Sequence, residues 1–255
     1  MSSISFWTRL ADLSLWLEVQ WPYTVQLFED YRIEPTAEDR QQYAALAQRA
    51  GLDPARPVRI GREELQKERT DTEQPDFYLE SLALYRKLCG ILLHEDVLLF
   101  HCSALELDGR AYLFTAPSGT GKSTHARLWR QVFGARVTML NDDKPLLRRQ
   151  LDGSWRVYGT PYSGKENLQT NTSQTVYGIV LLEQAMENRI EPVSSKDAFP
   201  RLLAQTYHDA QAPAALLHTM DLVGSLAQLP VFRLGCTISE QAVQMAYHEL
   251  KGGSE

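Results

Sequence analysis

Between an apolar run at residues 111–115 and an amphipathic segment at residues 122–133, the chain reads Ala116-Pro-Ser-Gly-Thr-Gly-Lys122-Ser123. This stretch narrows the fold more than any other. Gly119 and Gly121 let the backbone take conformations closed to other residues, and let amides approach an anion with no Cβ in the way. Successive N–H groups in such a turn form a concave nest for phosphate oxygens. A helix beginning at Lys122 adds its positive end. The segment therefore reads as a strand, a phosphate-binding loop and a helix. In that arrangement Lys122 reaches the β and γ phosphates and Ser123 ligates magnesium. Ala116 stands where the strict pattern has glycine, and its small side chain is compatible with the turn. Ser118, Gly119, Thr120, Gly121, Lys122, Ser123 and Thr124 are the candidate nucleotide-binding residues, with ATP and Mg2+ as the expected ligands.

Phosphate transfer needs a metal carboxylate and usually a base. Asn141-Asp142-Asp143 ends a predicted strand at residues 136–140. Two adjacent acids at the end of an apolar strand are costly unless compensated, and a divalent cation compensates them. One carboxylate can hold magnesium, and the other can accept the proton of an attacking hydroxyl. In a parallel sheet that strand end faces the side of the phosphate loop. His101 ends the apolar strand at residues 97–100 and joins the same pocket if its strand neighbours the central one. Lys144, Lys165 and Arg189 are candidate phosphate or substrate contacts. Lys165 is the better placed of these, in a Gly/Pro loop from Tyr158 that can fold over the site. His94, His125, His208, His218 and His248 read as structural or exposed.

The rest of the chain gives a coarse plan. Residues 14–21 alternate as a half-buried strand. Thr36 and Asp39 cap a helix that runs to Ala50 and stops at Gly51. Residues 62–74 are highly charged and read as a surface loop, and residues 77–93 as an amphipathic helix. Asp108-Gly109 and Asp152-Gly153 mark turns. Strands are predicted at residues 176–183, 190–193 and 231–234, and helices near residues 196–207, 214–227 and 239–250. The expectation is an α/β fold with an N-terminal α+β portion, residues 1–95, packed on a nucleotide-binding core, residues 96–255.

Composition excludes some partners. Of 255 residues, 44% are hydrophobic and 23% charged, and the net charge is −6. A folded core is expected, and nucleic acid is not, since it calls for a basic face. Cys89, Cys102 and Cys236 are far apart and odd in number, which suits reduced thiols rather than a disulfide or zinc framework. No signal peptide or spanning segment is visible, so a cytoplasmic location without membrane attachment is expected.

Phe100-His-Cys-Ser-Ala104, Ala116 to Ser123 and Asn141-Asp-Asp-Lys144 together resemble the HPr serine kinase/phosphorylase family. Its relatives include bacterial kinases acting on serine in small proteins or precursor peptides and, more distantly, ATP-dependent phosphoenolpyruvate carboxykinase. The resemblance is strongest over residues 97–145. It implies a mixed central P-loop sheet with helices and Mg-ATP as donor. It also implies a serine-bearing small protein, peptide or metabolite as acceptor, and a homo-oligomer, since members often assemble. On the family's pattern His101 lies at the phosphates, Asp142 takes the hydroxyl proton and Asp143 helps hold magnesium. Thr124 stands where the family typically has Glu. No match is seen to the C-terminal signature used for the reverse reaction, which speaks against HPr as acceptor. The alternatives are a nucleotide-binding regulator without transfer, and a nucleotide hydrolase.

Overall fold

Leu13, Leu15, Leu17 and Val19 recur at the two-residue period of a strand, and all four are buried. In the computed structural model, which describes residues 3–70, 73–209 and 212–252, they belong to β2 (Leu13–Val19). This strand pairs antiparallel with β1 (Ile4–Leu10) across Ala11 and Asp12, both at positive φ. That turn has the twist of its flanking strands. β3 (Val58–Arg59) adds parallel to β2. With α1 (Pro22–Leu27), α2 (Ala37–Arg49), α3 (Arg62–Lys67) and α4 (Asp76–Leu92), these strands make up the first of two compact units, Met1–Val97.

α2 begins at a closed capping box. The Asp39 N–H donates to Thr36 Oγ1 at 3.2 Å, and the Thr36 N–H donates to the Asp39 carboxylate at 2.9 Å. Gly51, at φ +69°, lets the chain turn away. Residues 62–74, expected as a surface loop, instead begin as the helix α3. The Gly61 N–H donates to Glu64 at 2.7 Å, Glu64 pairs with Lys87 at 2.8 Å, and Leu65 is buried. A charged segment with a cap and one buried anchor has reason to coil. Residues 71 and 72 of that stretch lie outside the described residues.

The second unit, Leu98–Glu255, is built on one sheet. Its strands are β4 (Val97–Leu99, which begins at the last residue of the first unit), β5 (Ser103–Leu107), β6 (Arg110–Thr115), β7 (Val137–Asn141), β8 (Leu146–Arg149), β9 (Trp155–Tyr158), β10 (Ser173–Gln184), β11 (Arg189–Pro192) and β12 (Val231–Cys236). Among the described residues they form a nine-stranded mixed sheet. Its helices are α5 (Lys122–Phe133), α6 (Ser195–Ala204), α7 (Pro213–Leu226) and α8 (Glu240–Gly252), so the architecture is α/β.

β10 is the spine. One edge pairs with β6 in parallel. The other takes β9 antiparallel along Ser173–Thr175 and β12 parallel along Ile179–Gln184. β5 lies between β6 and β7 and is antiparallel to both, so β6 and β7 run the same way. The β5–β6 hairpin turns at Asp108 and Gly109, φ +54° and +76°, where the sequence signal puts it. Trp129 of α5 is fully buried against Phe114 and Tyr112 of β6, in a cluster that includes Val243 and Ala246 of α8.

Candidate active site

β6 ends at Thr115 and α5 begins at Lys122. Between them Gly119 and Gly121 sit at φ +81° and +116°, conformations that favour glycine. A Cβ at either would meet nothing within 4 Å, so the space before the turn is open. The Thr120 N–H and hydroxyl both donate to the Pro117 carbonyl, at 3.3 and 2.9 Å, and tighten the loop. Gln184 of β10 donates to the Thr120 carbonyl at 3.3 Å. Lys122 is buried. Its Nζ donates to the carbonyls of Ala116 at 2.8 Å and Pro117 at 3.4 Å, folding back over the loop. Burial lowers its pKa, and the charge of Asp143 opposes that shift. Ser118 and Ser123 are exposed, and Thr124 is half-exposed.

Asn141, the last residue of β7, is fully buried and shapes the acid turn. Its Oδ1 accepts the N–H groups of Asp143 and Lys144 at 2.9 and 2.8 Å. Its Nδ2 donates to the Tyr162 carbonyl at 3.0 Å and to the Thr160 hydroxyl at 3.2 Å. One side chain thus ties the acids to the loop at residues 159–172. Asp142 is 6% exposed, and its Oδ1 accepts the Gly164 N–H at 2.6 Å. Burial raises its pKa and the charges of Asp143 and Glu166 add to the rise, against the lowering effect of the Gly164 N–H.

Asp143 is the electrostatic opposite. Its Oδ1 lies 3.3 Å from His101 Nε2, and its Oδ2 lies 3.6 Å from Lys144 Nζ. Burial pushes its pKa up, but His101, Lys144 and Lys122 together outweigh that and hold it below the ordinary carboxylate value. Neighbouring acids are thereby set apart: Asp142 holds a proton more readily than usual, and Asp143 stays ionised.

His101 joins this group through its backbone as well as its ring. The Thr115 hydroxyl donates to its carbonyl at 2.8 Å, which fixes it to the end of β6 where the loop begins. Its N–H donates to the Gln205 carbonyl at 2.8 Å, and its Nδ1 lies 3.0 Å from Gln205 Oε1. The Tyr207 N–H donates to the Leu99 carbonyl at 2.9 Å, so the segment after α6 runs beside residues 99–101.

The structure thus brings His101, Asp143, Lys144 and Lys122 together, with Asp142 beside them. Lys165 is exposed next to Gly164. Arg189 is not part of this group: it pairs with Glu191 at 2.9 Å on β11, beyond β10 and β12 from the phosphate loop. Gln205, Gly164, Thr115 and the Asn141 side chain were missed by sequence reasoning. Only Asn141 had a signal, its place before the acids. The others depend on partners 14 to 104 positions away in the chain.

Two cavities open nearby, the smaller at this group and the larger at the phosphate-loop turn. One of about 330 Å³ is lined by His101, Asp143, Lys144 and Gln205. The other, about 660 Å³, lies between Ala116–Thr120 and the end of β10 under α6. Among the described residues no group of three or more His, Cys, Asp or Glu could hold a metal by itself. The three cysteines are free. No helix among the described residues is long and apolar enough to cross a membrane.

No family model matches the chain, and no curated protein matches it. Among solved structures it is similar to the HPr(Ser) kinase/phosphatase from Coxiella burnetii. The identity is 12% and the TM-score 0.36, over 61% of this chain and 99% of that one.

Proposed function

We propose that this chain is a Mg-ATP-dependent kinase that transfers the γ-phosphate to a serine hydroxyl of a small protein, a peptide or a metabolite. One observation carries the reading. The glycine turn that heads α5 and the acid pair that ends β7 follow strands running in the same direction, and His101 is bonded toward both, to Thr115 and Asp143. Phosphate binding and acid–base chemistry are thereby offered at one end of one sheet.

On this reading Lys122 leaves the Ala116 carbonyl for the β and γ phosphates, while backbone amides at Ser118–Gly121 take the remaining oxygens. The acceptor oxygen bonds to the γ phosphorus as the bond from that phosphorus to the β–γ bridging oxygen breaks. The hydroxyl proton passes to Asp142, and ADP leaves with the electron pair. The raised pKa of Asp142 suits a base that must hold that proton. His101 and Lys122 offset the charge on the transferring group. Lys144 and Lys165 are the proposed contacts to substrate or phosphate.

Magnesium fits the donor set. Asp143 is held ionised and the Ser123 hydroxyl is exposed, and Mg2+ takes one or two protein oxygens while phosphates and water complete its shell. Ser123 and Asp143 would hold it, and it would neutralise phosphate charge.

The test is transfer from γ-labelled ATP into a cell lysate. The wild-type protein is expected to label an acceptor on serine, and Asp142→Asn to bind ATP with unchanged affinity and label nothing. Equal labelling by the variant would contradict the base. Label released only as free phosphate would favour a hydrolase, and ATP binding with no turnover a nucleotide-controlled regulator.

A further inference from the structure

A phosphate chain seated on residues 116–123 has two ends. Its reacting end must face Asp142, which follows β7 on the β5–β7 side of β6, and His101, which precedes β5. In-line transfer sets the leaving oxygen opposite the attacking one, so the rest of the nucleotide runs away from the acids. The strand on the far side of β6 is β10.

A notch opens there because the two strands differ in length. β6 pairs with β10 only as far as Thr115 and Leu181, then turns into the phosphate loop, while β10 continues to Gln184. The notch is the cleft of about 660 Å³, with Ala116–Thr120 on one side, Leu182–Gln184 on the other and Arg201 and Ala204 of α6 above. That volume lies within the range of small-ligand pockets.

Its chemistry suits a heteroaromatic base with a sugar. The Ile179 N–H donates to the Pro230 carbonyl on the β12 side. By strand alternation the backbone groups of Leu182 and Gln184 face the side that β6 has left. Pro117, next in the course of that chain, has no N–H to offer them. A ring edge with donors and acceptors can use those groups, and Ala116, Pro117 and Ala204 can take its faces. Arg201 and Glu183 pair at 2.6 Å at the mouth, both roughly two-fifths exposed. Such a pair is weakly held. It can reorganise, the guanidinium to stack on a base and the carboxylate to accept from ribose hydroxyls.

We propose that this cleft holds the nucleoside, base and ribose, of the triphosphate bound at the phosphate loop. The inference rests on the kinase reading and names the part of its donor that the loop does not touch. Ala204 is exposed on α6 and borders both cavities, so Ala204→Trp narrows the cleft from above, and Arg201, which lines the larger cleft and not the smaller cavity, separates the two effects. Binding of Mg-ATP and of Mg-tripolyphosphate is measured by calorimetry, with ligand-free melting temperature as the control for folding. The wild-type protein is expected to bind both. Ala204→Trp is expected to keep tripolyphosphate affinity and bind ATP at least tenfold more weakly. Arg201→Ala, a surface change, is expected to weaken ATP severalfold and leave tripolyphosphate unchanged. Wild-type affinity of Ala204→Trp for both ligands overturns the proposal, and a raised acceptor KM with that result assigns the cleft to the acceptor. If the wild-type protein binds neither ligand, the phosphate-loop reading itself fails, and this inference with it.

Discussion

The backbone N–H of Gly164 donates to Oδ1 of Asp142 at 2.6 Å, so the loop after β9 is pinned to the acid proposed as base. The contact leaves no room for a side chain: a Cβ at Gly164 would stand 2.6 Å from Asp142 Oδ2. Gly164→Ala is expected to fold normally, bind ATP as before and lose about tenfold or more in kcat, because displacing a catalytic group by even an ångström is costly. Steady-state kinetics with a melting curve check this. Unchanged kcat would show that the contact does not position Asp142.

Asn141 accepts from two backbone N–H groups and donates into the facing loop, all in the interior. Asn141→Ala strands those partners away from water. It is expected to cost about 2–4 kcal/mol of stability, in the range for breaking a buried polar network. Urea denaturation gives the value, and a loss under about 0.5 kcal/mol, typical of surface changes, would mean that the acid turn holds its shape without it.

Those two contacts also mark what the sequence does not reveal. The candidate loop and acids are each contiguous, so the glycine turn at residues 116–123 and the strand end at residues 141–143 were legible as local structure. The Asp108-Gly109 turn and the Thr36–Asp39 cap were legible for the same reason, since each is closed by residues within one turn. Gln205 meets His101 across 104 positions, and nothing in either neighbourhood announces it. The α3 helix was missed because part of its support, Lys87, comes from another helix. The common orientation of β6 and β7 was expected from a parallel sheet, but it arises with antiparallel β5 between them.

His125 gives a pH signature. Its Nε2 accepts from Trp129 Nε1 at 2.9 Å, and burial lowers its pKa to about 4 from the usual 6.5. The unfolded chain therefore takes up this proton at higher pH than the folded one. Stability from this group is intact above about pH 6.5, declines as the pH falls and is fully lost below about pH 4, a total of about 3 kcal/mol. Denaturation of wild type and His125→Gln at pH 7.5 and 4.5 isolates it from the titrating carboxylates. The variant should lose less stability over that interval, and an identical loss would contradict a neutral buried imidazole.

Lys122 Nζ closes over its own loop at 2.8 Å from the Ala116 carbonyl, and in the proposed kinase it opens to receive a phosphate. Calorimetric titration of Mg-ATP into wild type and Lys122→Ala tests this most directly. The expected result is saturable binding by the wild type and a loss of roughly a hundredfold or more in the variant, about 3 kcal/mol for a charge-assisted contact. Equal affinity of the two proteins would contradict the claim that this loop holds the nucleotide.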